Sequence, residues 1–207
     1  LAIGPVPVWI AAAATVGYLA LILAGVFNLS LRMYVDACLT GPPDARGVAL
    51  TFDDGPDPVH TRDVLDQLDR AGVAATFFVV GRKAKLFPEV VAEIAERGHA
   101  IGIHSYAHDR LMSLMKPRAA EADLVLALDA VEAATGQRPT MFRPPVGHTS
   151  PRLAKAVERL GLAVVGWSVR GYDGLGGAKP DRVAARITAD LRDGAIVLQE
   201  RTADTSI

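Results

Sequence analysis

The sequence predicts an α/β fold in which alternating strands and helices form a barrel-like domain, preceded by an N-terminal membrane helix. Two features of the chain lead to this prediction. From Gly47 onward short apolar runs alternate with amphipathic stretches, whereas residues 1–31 contain no charged side chain. Fully apolar strands separated by helices are typical of parallel strands that are buried on both faces.

The first element is the apolar run VWIAAAATVGYLALILAGVF at residues 8–27. At about 1.5 Å per residue, a helix of this length spans the roughly 30 Å hydrocarbon layer of a bilayer. An uncleaved signal peptide is the alternative, but its apolar core is usually only ~7–15 residues long. We therefore assign residues 1–38 to a membrane anchor and residues 39–46, a segment rich in Gly and Pro, to a linker.

The charges around this helix leave its orientation open. Arg32 is the first basic residue and follows the helix, which by itself favours a cytoplasmic side for the rest of the chain. The first residue is Leu1, and basic residues upstream of it would reverse that preference.

Residues 47–207 are assigned to the globular domain. Its predicted strands lie in GVALTF, AATFFVV, HAIGI, TMFRP, LAVVGWSV and AIVLQ. The predicted helices lie in DVLDQLDRAG, EVVAEIAERG, a longer stretch that ends AVEAATG, PRLAKAVERLG and DRVAARITADLRDG. Thr61 and Ser150 are expected to cap the helices that start at Arg62 and Pro151, and Gly72, Gly98, Gly161 and Gly194 to end helices.

The composition excludes some classes of function and leaves others open. Lys and Arg number 22 against 23 acidic residues, so the chain lacks the basic excess that nucleic-acid binding usually requires. Cys38 is the only cysteine, so no internal disulfide can form and thiols do not reveal the compartment.

Two adjacent carboxylates follow the first predicted strand of the domain, in Thr51-Phe52-Asp53-Asp54-Gly55-Pro56. Side by side, Asp53 and Asp54 need a cation or a shared proton. A simple turn, in which Asp54 caps the Gly-Pro bend, is the alternative for this motif taken alone.

Two histidines follow the third predicted strand, in His104-Ser105-Tyr106-Ala107-His108. Their spacing predicts that both imidazoles lie on one side of a helical turn, close enough to chelate one ion. Taken alone, they could be ordinary core or surface histidines. Together with Asp53 and Asp54, each group standing at a strand end, they predict a metal site of two histidines and one carboxylate.

A third segment, Phe142-Arg143-Pro144-Pro145-Val146-Gly147-His148, also follows an apolar strand. Its consecutive prolines could hold a backbone amide in a fixed position, although they suit a plain rigid turn equally well.

Together the three segments resemble the polysaccharide deacetylase family, carbohydrate esterase family 4, over roughly residues 47–198. The family motif TFDDGP is present complete, HSYAH matches the second motif, H-[ST]-x-x-H, and Arg143 and Pro145 match the third, R-x-P-[FY], with Val146 in its aromatic position. The resemblance implies a distorted (β/α) barrel that removes acetyl groups from amino-sugar polymers.

The resemblance also implies a role for each site residue. Asp54, His104 and His108 would bind one divalent cation, usually Zn²⁺, with Co²⁺ or another divalent ion as alternatives. Asp53 would be the general base and Arg143 would orient it. The oxyanion and the sugar are assigned to Pro145, Val146 and Trp167. A carboxylate with two imidazoles and open positions independently suits a hydrolytic Zn²⁺.

The fourth and fifth family motifs are incomplete. The fourth, approximately D-x-x-D-W, falls on residues 170–174, where Arg170 replaces an acidic residue and Asp173 alone matches. We expect Asp173 to take over part of the catalytic role.

The fifth motif normally ends in a histidine that serves as general acid, and Gln199 stands there instead. Losing a general acid typically lowers the rate by about 10²–10⁴. Three explanations compete: protonated Asp53 returns its proton, His148 substitutes, or the domain is truncated and altered at its C-terminal end. We favour the last, because the segment RTADTSI has no helical periodicity.

The sequence thus predicts an anchored, extracytoplasmic, metal-dependent deacetylase of a polysaccharide that contains N-acetylglucosamine. Two alternatives remain, a catalytically impaired family member that binds glycan or metal, and an esterase that acts on O-acetylated xylan.

Overall fold

The computed structural model describes residues 7–172 and 179–200. Its helices are α1 (Val8–Phe27), α2 (His60–Ala71), α3 (Gly81–Leu86), α4 (Pro88–Glu96), α5 (Pro117–Thr135), α6 (Pro151–Arg159) and α7 (Pro180–Asp190). Its strands are β1 (Ala37–Cys38), β2 (Ala49–Asp53), β3 (Thr76–Val79), β4 (Ala100–Ile103), β5 (Met141–Phe142), β6 (Ala163–Val165), β7 (Val169–Arg170) and β8 (Ile196–Gln199). Single 3₁₀ turns cover Leu29–Leu31, Met112–Leu114 and Pro145–Gly147.

The strands form one parallel sheet in the order β1-β6-β5-β4-β3-β2-β8-β7. An isolated antiparallel bridge between Thr40 and Ala195 joins the β1 edge to the segment that enters β8. The segment between β6 and β7 also connects the two edges of the sheet: Gly166 N donates to Cys38 O in β1, and Ser168 N donates to Ile196 O in β8. The sheet is therefore curled into a distorted (β/α) barrel, as the sequence predicts.

Large apolar side chains from both layers fill the space between the sheet and its helices. Leu65, Ile94, Leu124, Phe142 and Leu153 have at most 1% of their surface exposed. This core holds the strands in register and places the carboxyl ends of β2, β4 and β5 at the same end of the barrel.

The structure confirms most of the predicted helix ends, but the prediction for Thr61 is wrong, because α2 already begins at His60, and α7 ends at Asp190, before Gly194. The Ser150 hydroxyl accepts a hydrogen bond from Leu153 N and caps α6. Gly72, Gly98 and Gly161 all have positive φ beyond helix ends, where a side chain would be strained.

The sequence did not predict β1, which lies in the segment assigned to the anchor. Thr40 and Gly41, assigned to the linker, bond to Ala195 and Gly194. A strand of two residues has no periodicity to detect, so only tertiary pairing reveals it. The division of the chain into anchor, linker and catalytic domain remains a prediction.

Helix α1 is long and apolar enough to cross a membrane by length and composition, with 20 residues and a mean hydropathy of 2.2. Only 6% of its most apolar window is buried against the rest of the described chain. The helix therefore projects from the barrel instead of packing into its core.

Candidate metal centre

Two adjacent carboxylates stand at the carboxyl end of β2. Asp53 is the last residue of the strand and is 6% exposed. Asp54 begins the turn with φ of +68°, a left-handed conformation that Asp tolerates better than most residues. The Lys83 ammonium donates to the Asp54 backbone carbonyl at 2.7 Å and ties this turn to α3.

The two histidines lie on the loop that follows β4. The prediction of a helical turn here is wrong: the loop is irregular, and Ser105 and His108 both have positive φ. The Ser105 hydroxyl accepts from His108 N at 2.9 Å. The Asp123 carboxylate, on α5, accepts from Tyr106 N at 2.8 Å and from Ala107 N at 3.1 Å. Side-chain acceptors thus replace the hydrogen bonds of a helix.

The structure brings Asp54, His104 and His108 together. Asp54 Oδ1 lies 2.9 Å from His108 Nε2 and 3.6 Å from His104 Nε2, and the three ligand atoms lie within 4.8 Å of one another. Ligand atoms roughly 2.0–2.2 Å from a Zn²⁺ ion lie about 3–4 Å apart, so these spacings suit one ion.

An unsatisfied polar atom at the centre of this group supports the same interpretation. Asp54 Oδ1 is buried but has no hydrogen bond of satisfactory geometry. A buried oxygen without a partner is costly, and a cation would satisfy it. His104 Nδ1 lies 2.7 Å from Arg143 O, so it carries the proton and leaves Nε2 free to bind a metal. The donor set fits a divalent cation.

The charges around Asp54 favour its ionised form. Burial tends to raise the pKa of Asp54, but contact with His108 and the charges of His104 and Lys83 lower it to about 2. Burial is also the main influence on His104 and lowers its pKa, against the opposing effect of Asp53 and Asp54. Both groups are therefore in the protonation state that a metal ligand requires.

Asp53 is held by Arg143 and not by the histidines. Arg143 Nη1 donates to Asp53 Oδ1 at 2.7 Å, whereas Asp53 Oδ2 lies 3.9 Å from His104 Nε2. Burial raises the pKa of Asp53, although Arg143 and His104 oppose the shift. The second carboxylate is thus fixed beside the metal site without belonging to it.

Arg143 itself is fully buried, and every side of its guanidinium is occupied. Nη1 also donates to Thr51 Oγ1 at 2.8 Å, Nη2 donates to Gly166 O at 2.7 Å, and Nε donates to Val165 O at 3.2 Å. The guanidinium lies 4.1 Å from the centre of the Phe78 ring. With so many partners it cannot move away from Asp53 without leaving buried donors unsatisfied.

The loop after β5 packs against Trp167. Val146 is 38% exposed and has φ of +51°, so it projects from the 3₁₀ turn Pro145–Gly147. Gly147 has φ of +72°, and a Cβ at this position would lie 2.7 Å from the Trp167 ring. Val146, Gly147 and Trp167 therefore line one side of the same cavity, whereas Pro145 is buried. The Arg143 guanidinium lies 5.8 Å from the centre of the Trp167 ring.

A family model covers more than half of the chain. Residues 40–165 match the family model described as polysaccharide deacetylase. The chain belongs to the polysaccharide deacetylase family.

Two relatives of this deacetylase family are named for cell-wall or chitin substrates. The chain is 33% identical to a peptidoglycan-N-acetylglucosamine deacetylase from Bacillus cereus, over 79% of this chain and 58% of that protein. It is 38% identical to a chitooligosaccharide deacetylase from Bradyrhizobium sp., over 74% of this chain and 69% of that protein. The chain thus spans little more than half of the Bacillus cereus protein.

One similar solved structure is a variant of a pseudoenzyme of this family. A mutant of a carbohydrate esterase family 4 pseudoenzyme from Bacillus anthracis, described as having restored enzymatic activity, superposes with a TM-score of 0.75. It is 28% identical and covers 81% of this chain and 61% of its own. The barrel is therefore the deacetylase fold, and this fold also occurs in pseudoenzymes.

Two residues predicted for the deacetylase site have no described contact with its carboxylates. Asp173 falls outside the described residues. The described contacts of His148 are with the Arg110 backbone and with the Phe27 ring, 4.8 Å away, so among the described residues it forms no hydrogen bond with Asp53 or Asp54. Burial lowers the pKa of His148.

The departures from the fourth and fifth family motifs, Arg170 and Gln199, lie on neighbouring strands. Arg170, at the end of β7, pairs with Glu200 at 2.6 Å and lies 5.6 Å from the centre of the Trp167 ring. Gln199 ends β8 and is paired in register with Phe52, next to Asp53. Gln199 therefore stands at the catalytic end of the barrel, beside the strand that carries both carboxylates.

Sequence reasoning missed three residues that position the site. Asp123 fixes the histidine loop, Lys83 fixes the Asp54 turn, and Thr51 accepts from Arg143. Thr51 stands inside the first motif and could have been found there. Asp123 and Lys83 lie on helices, where a charged residue gives no signal of its own.

Proposed function

We propose that this chain is a metal-dependent hydrolase that removes N-acetyl groups from a polysaccharide containing N-acetylglucosamine, such as peptidoglycan, a chitin oligomer or an exopolysaccharide. The observation that carries the proposal is the convergence of Asp54, His104 and His108 beside a second carboxylate, Asp53, which is held apart from them. The names of the relatives support this substrate class.

In this proposal each residue has a separate task. Asp54, His104 and His108 would hold a divalent cation, most simply Zn²⁺, which when bound makes water more acidic and polarises the acetyl carbonyl. Asp53 accepts the proton of the attacking water through Oδ2, since Arg143 occupies Oδ1. The backbone amide of Val146 stabilises the oxyanion, and Pro145 and Trp167 contact the sugar.

We also propose that α1 anchors the enzyme, with its catalytic domain outside the cytoplasm. The length and hydropathy of α1 support an anchor, and cell-wall polymers lie outside the membrane. Labelling of intact cells with a membrane-impermeant reagent tests the orientation. The catalytic domain should react if it lies in the periplasm or at the cell surface, and should be protected if it lies in the cytoplasm.

The function is tested by metal analysis and acetate release with the full chain in detergent. We expect one divalent ion per chain, and acetate release from a chitooligosaccharide that disappears with a chelator and returns with Zn²⁺ or Co²⁺. Acetylated xylan serves as the competing substrate. A folded chain that binds no divalent ion would contradict the proposal.

Asp123→Asn is expected to weaken metal affinity by about 10–100-fold, the usual effect of losing an outer-shell partner. The carboxylate holds two backbone amides of the histidine loop with its two oxygens, and an amide side chain keeps only one acceptor. The dissociation constant for Zn²⁺, measured by competition with a chelating dye, reports the change.

The matched control for this variant is Asp129→Asn, on the exposed face of the same helix. Asp129 pairs with Arg138, an exposed contact of little energetic value. Equal Zn²⁺ affinities of the Asp123 and Asp129 variants would show that Asp123 does not support metal binding.

A second candidate function, glycan or metal binding without turnover, is favoured by Gln199 and by the pseudoenzyme neighbour. Gln199→His is expected to raise the rate of acetate release by about 10²–10⁴, because it restores a proton donor at the end of β8. Gln67→His, on the exposed face of α2, is the control. If Gln199→His binds metal and chitooligosaccharide but still releases no acetate, the chain is a binding protein.

A further inference from the structure

The C-terminal turn of α1 is attached to the barrel at its catalytic end. Thr149 N donates to Val26 O at 3.0 Å, and the Tyr34 hydroxyl donates to Ile22 O at 3.1 Å. The Phe27 ring packs edge-on against His148 at 4.8 Å. His148 and Thr149 follow Val146 in the loop after β5, so α1 meets the domain directly beside a wall of the candidate site.

The remainder of α1 leads away from this contact. Side chains from Val8 to Leu21 are exposed, among them Val16 at 67% and Leu19 at 53%. If this part of α1 crosses a bilayer, the bilayer surface lies close to Phe27, and the loop after β5 lies there with it.

A second exposed apolar segment lies next to the same loop. Leu111 and Leu114 are 63% and 60% exposed. They flank Ser113, whose carbonyl accepts from the Ser150 hydroxyl at 2.6 Å, and the Leu114 carbonyl accepts from Arg152 at 3.1 Å. The 3₁₀ turn Met112–Leu114 thus lies along residues 148–152, the segment that receives the end of α1.

The charges around this turn have the sign that anionic lipid headgroups attract. Residues 109–118 contain one acidic side chain, Asp109, and three basic ones, Arg110, Lys116 and Arg118. Exposed leucines bordered by basic residues are the pattern of segments that rest at a membrane interface.

A cavity also lies where α1 meets the loop after β5. Its volume is about 290 Å³. Phe27 and Leu29 line it from one side, and Val146, Trp167 and Tyr172 line it from the other. A molecule bound in this cavity would therefore contact both the end of α1 and the loop after β5.

We infer that the catalytic domain docks on the lipid bilayer through a membrane-docking face composed of Phe27, Leu31, Leu111 and Leu114, so that its site opens at the level of the headgroups. This inference rests on the proposed anchoring of α1. It narrows the proposed substrate to amino-sugar chains held at the membrane surface, as a lipid-linked glycan is.

The position of Leu111 relative to the bilayer tests the inference. Leu111→Cys and Val73→Cys are made in the full chain with Cys38→Ser, labelled with bimane, and reconstituted in vesicles of phosphatidylcholine and phosphatidylglycerol. Val73 is the matched control, since it is also an exposed apolar residue, 45% exposed, but lies at the opposite end of the barrel, before β3. With nitroxide lipids present, we expect residue 111 to lose most of its fluorescence and residue 73 almost none.

Three results would overturn the inference, and each has a separate meaning. Equal quenching at residues 73 and 111 in vesicle-bound chain would contradict the docking face but not the proposed anchoring by α1. Protection of residue 111 from aqueous iodide without quenching by nitroxide lipids would mean that a second copy of the chain, and not the bilayer, covers the face. A chain that fails to associate with vesicles removes anchor and docking together, while acetate release from soluble chitooligosaccharide still decides the deacetylase function.

Discussion

Asp53→Asn should retain the metal and lower the rate of acetate release by about 10²–10⁴, the usual contribution of a general base. Asn keeps an oxygen that accepts from Arg143, so the buried guanidinium remains paired, but its amide cannot take a proton from water. Metal content by mass spectrometry and initial rates on a chitooligosaccharide measure the two effects separately. The loss should appear in kcat, since Asp53 is not a predicted contact of the ground-state sugar.

Asp63→Asn provides the same chemical change at an exposed position of α2 and should leave both metal content and rate unchanged. If Asp53→Asn released acetate at the normal rate, the proton acceptor would have to be another group. If Asp53→Asn lost the metal instead, Asp53 would be a metal ligand, and its pairing with Arg143 would not mark it as a separate general base.

The fold could be predicted from sequence because its signals are local. Most strands after Gly47 are short apolar runs, and a glycine follows each of α2, α4, α5 and α6, so the alternation of strands and helices was visible in the sequence and predicted a parallel sheet. The run LAVVGWSV, predicted as one strand, contains β6 and the first residue of β7. Strand β1 and the Thr40–Ala195 bridge were missed, because they consist of one or two residues that become structured only through partners far along the chain.

The candidate metal site could be predicted because its residues lie in two short segments that follow β2 and β4, parallel strands separated in the sheet only by β3. The histidine loop shows the limit of that reasoning: a helical turn and this irregular loop both bring His104 and His108 together, and spacing cannot distinguish them. What selects the loop is Asp123, 15 residues after His108 and on another element. From sequence alone, a single acidic residue on an amphipathic helix cannot be distinguished from a solvent-exposed one. Only the structure shows that Asp123 contacts the loop.

The pairing of Arg143 with Asp53 explains why two adjacent carboxylates can have different roles. Asp54 is only partly buried, beside two imidazoles, and its pKa falls to about 2, whereas burial raises the pKa of Asp53. In the proposed mechanism, this difference suits Asp54 to bind a cation and Asp53 to accept a proton. Their neighbours separate the two functions, although the residues are adjacent in sequence.

His104→Ala should remove the bound metal and, with it, all acetate release above background. The variant loses one of three ligand atoms and also the hydrogen bond from Nδ1 to Arg143 O, so the remaining pair, Asp54 and His108, has no fixed third partner. We expect the Zn²⁺ dissociation constant to rise by more than the roughly 10–100-fold that outer-shell changes cause. Zn²⁺ should raise the melting temperature of the parent chain and leave that of the variant unchanged, since a ligand stabilises only a state that binds it.

His104 is buried, so its truncation leaves a cavity that could itself destabilise the barrel. His108→Ala removes the second imidazole from a more exposed position, with 22% of its side chain accessible, and should lose metal without that cost. His60→Ala, on the exposed start of α2, is the control for removal of a histidine. If both His104→Ala and His108→Ala folded and still bound Zn²⁺ as the parent does, the convergence of these three side chains would not be a metal centre, and the hydrolase proposal would fail with it.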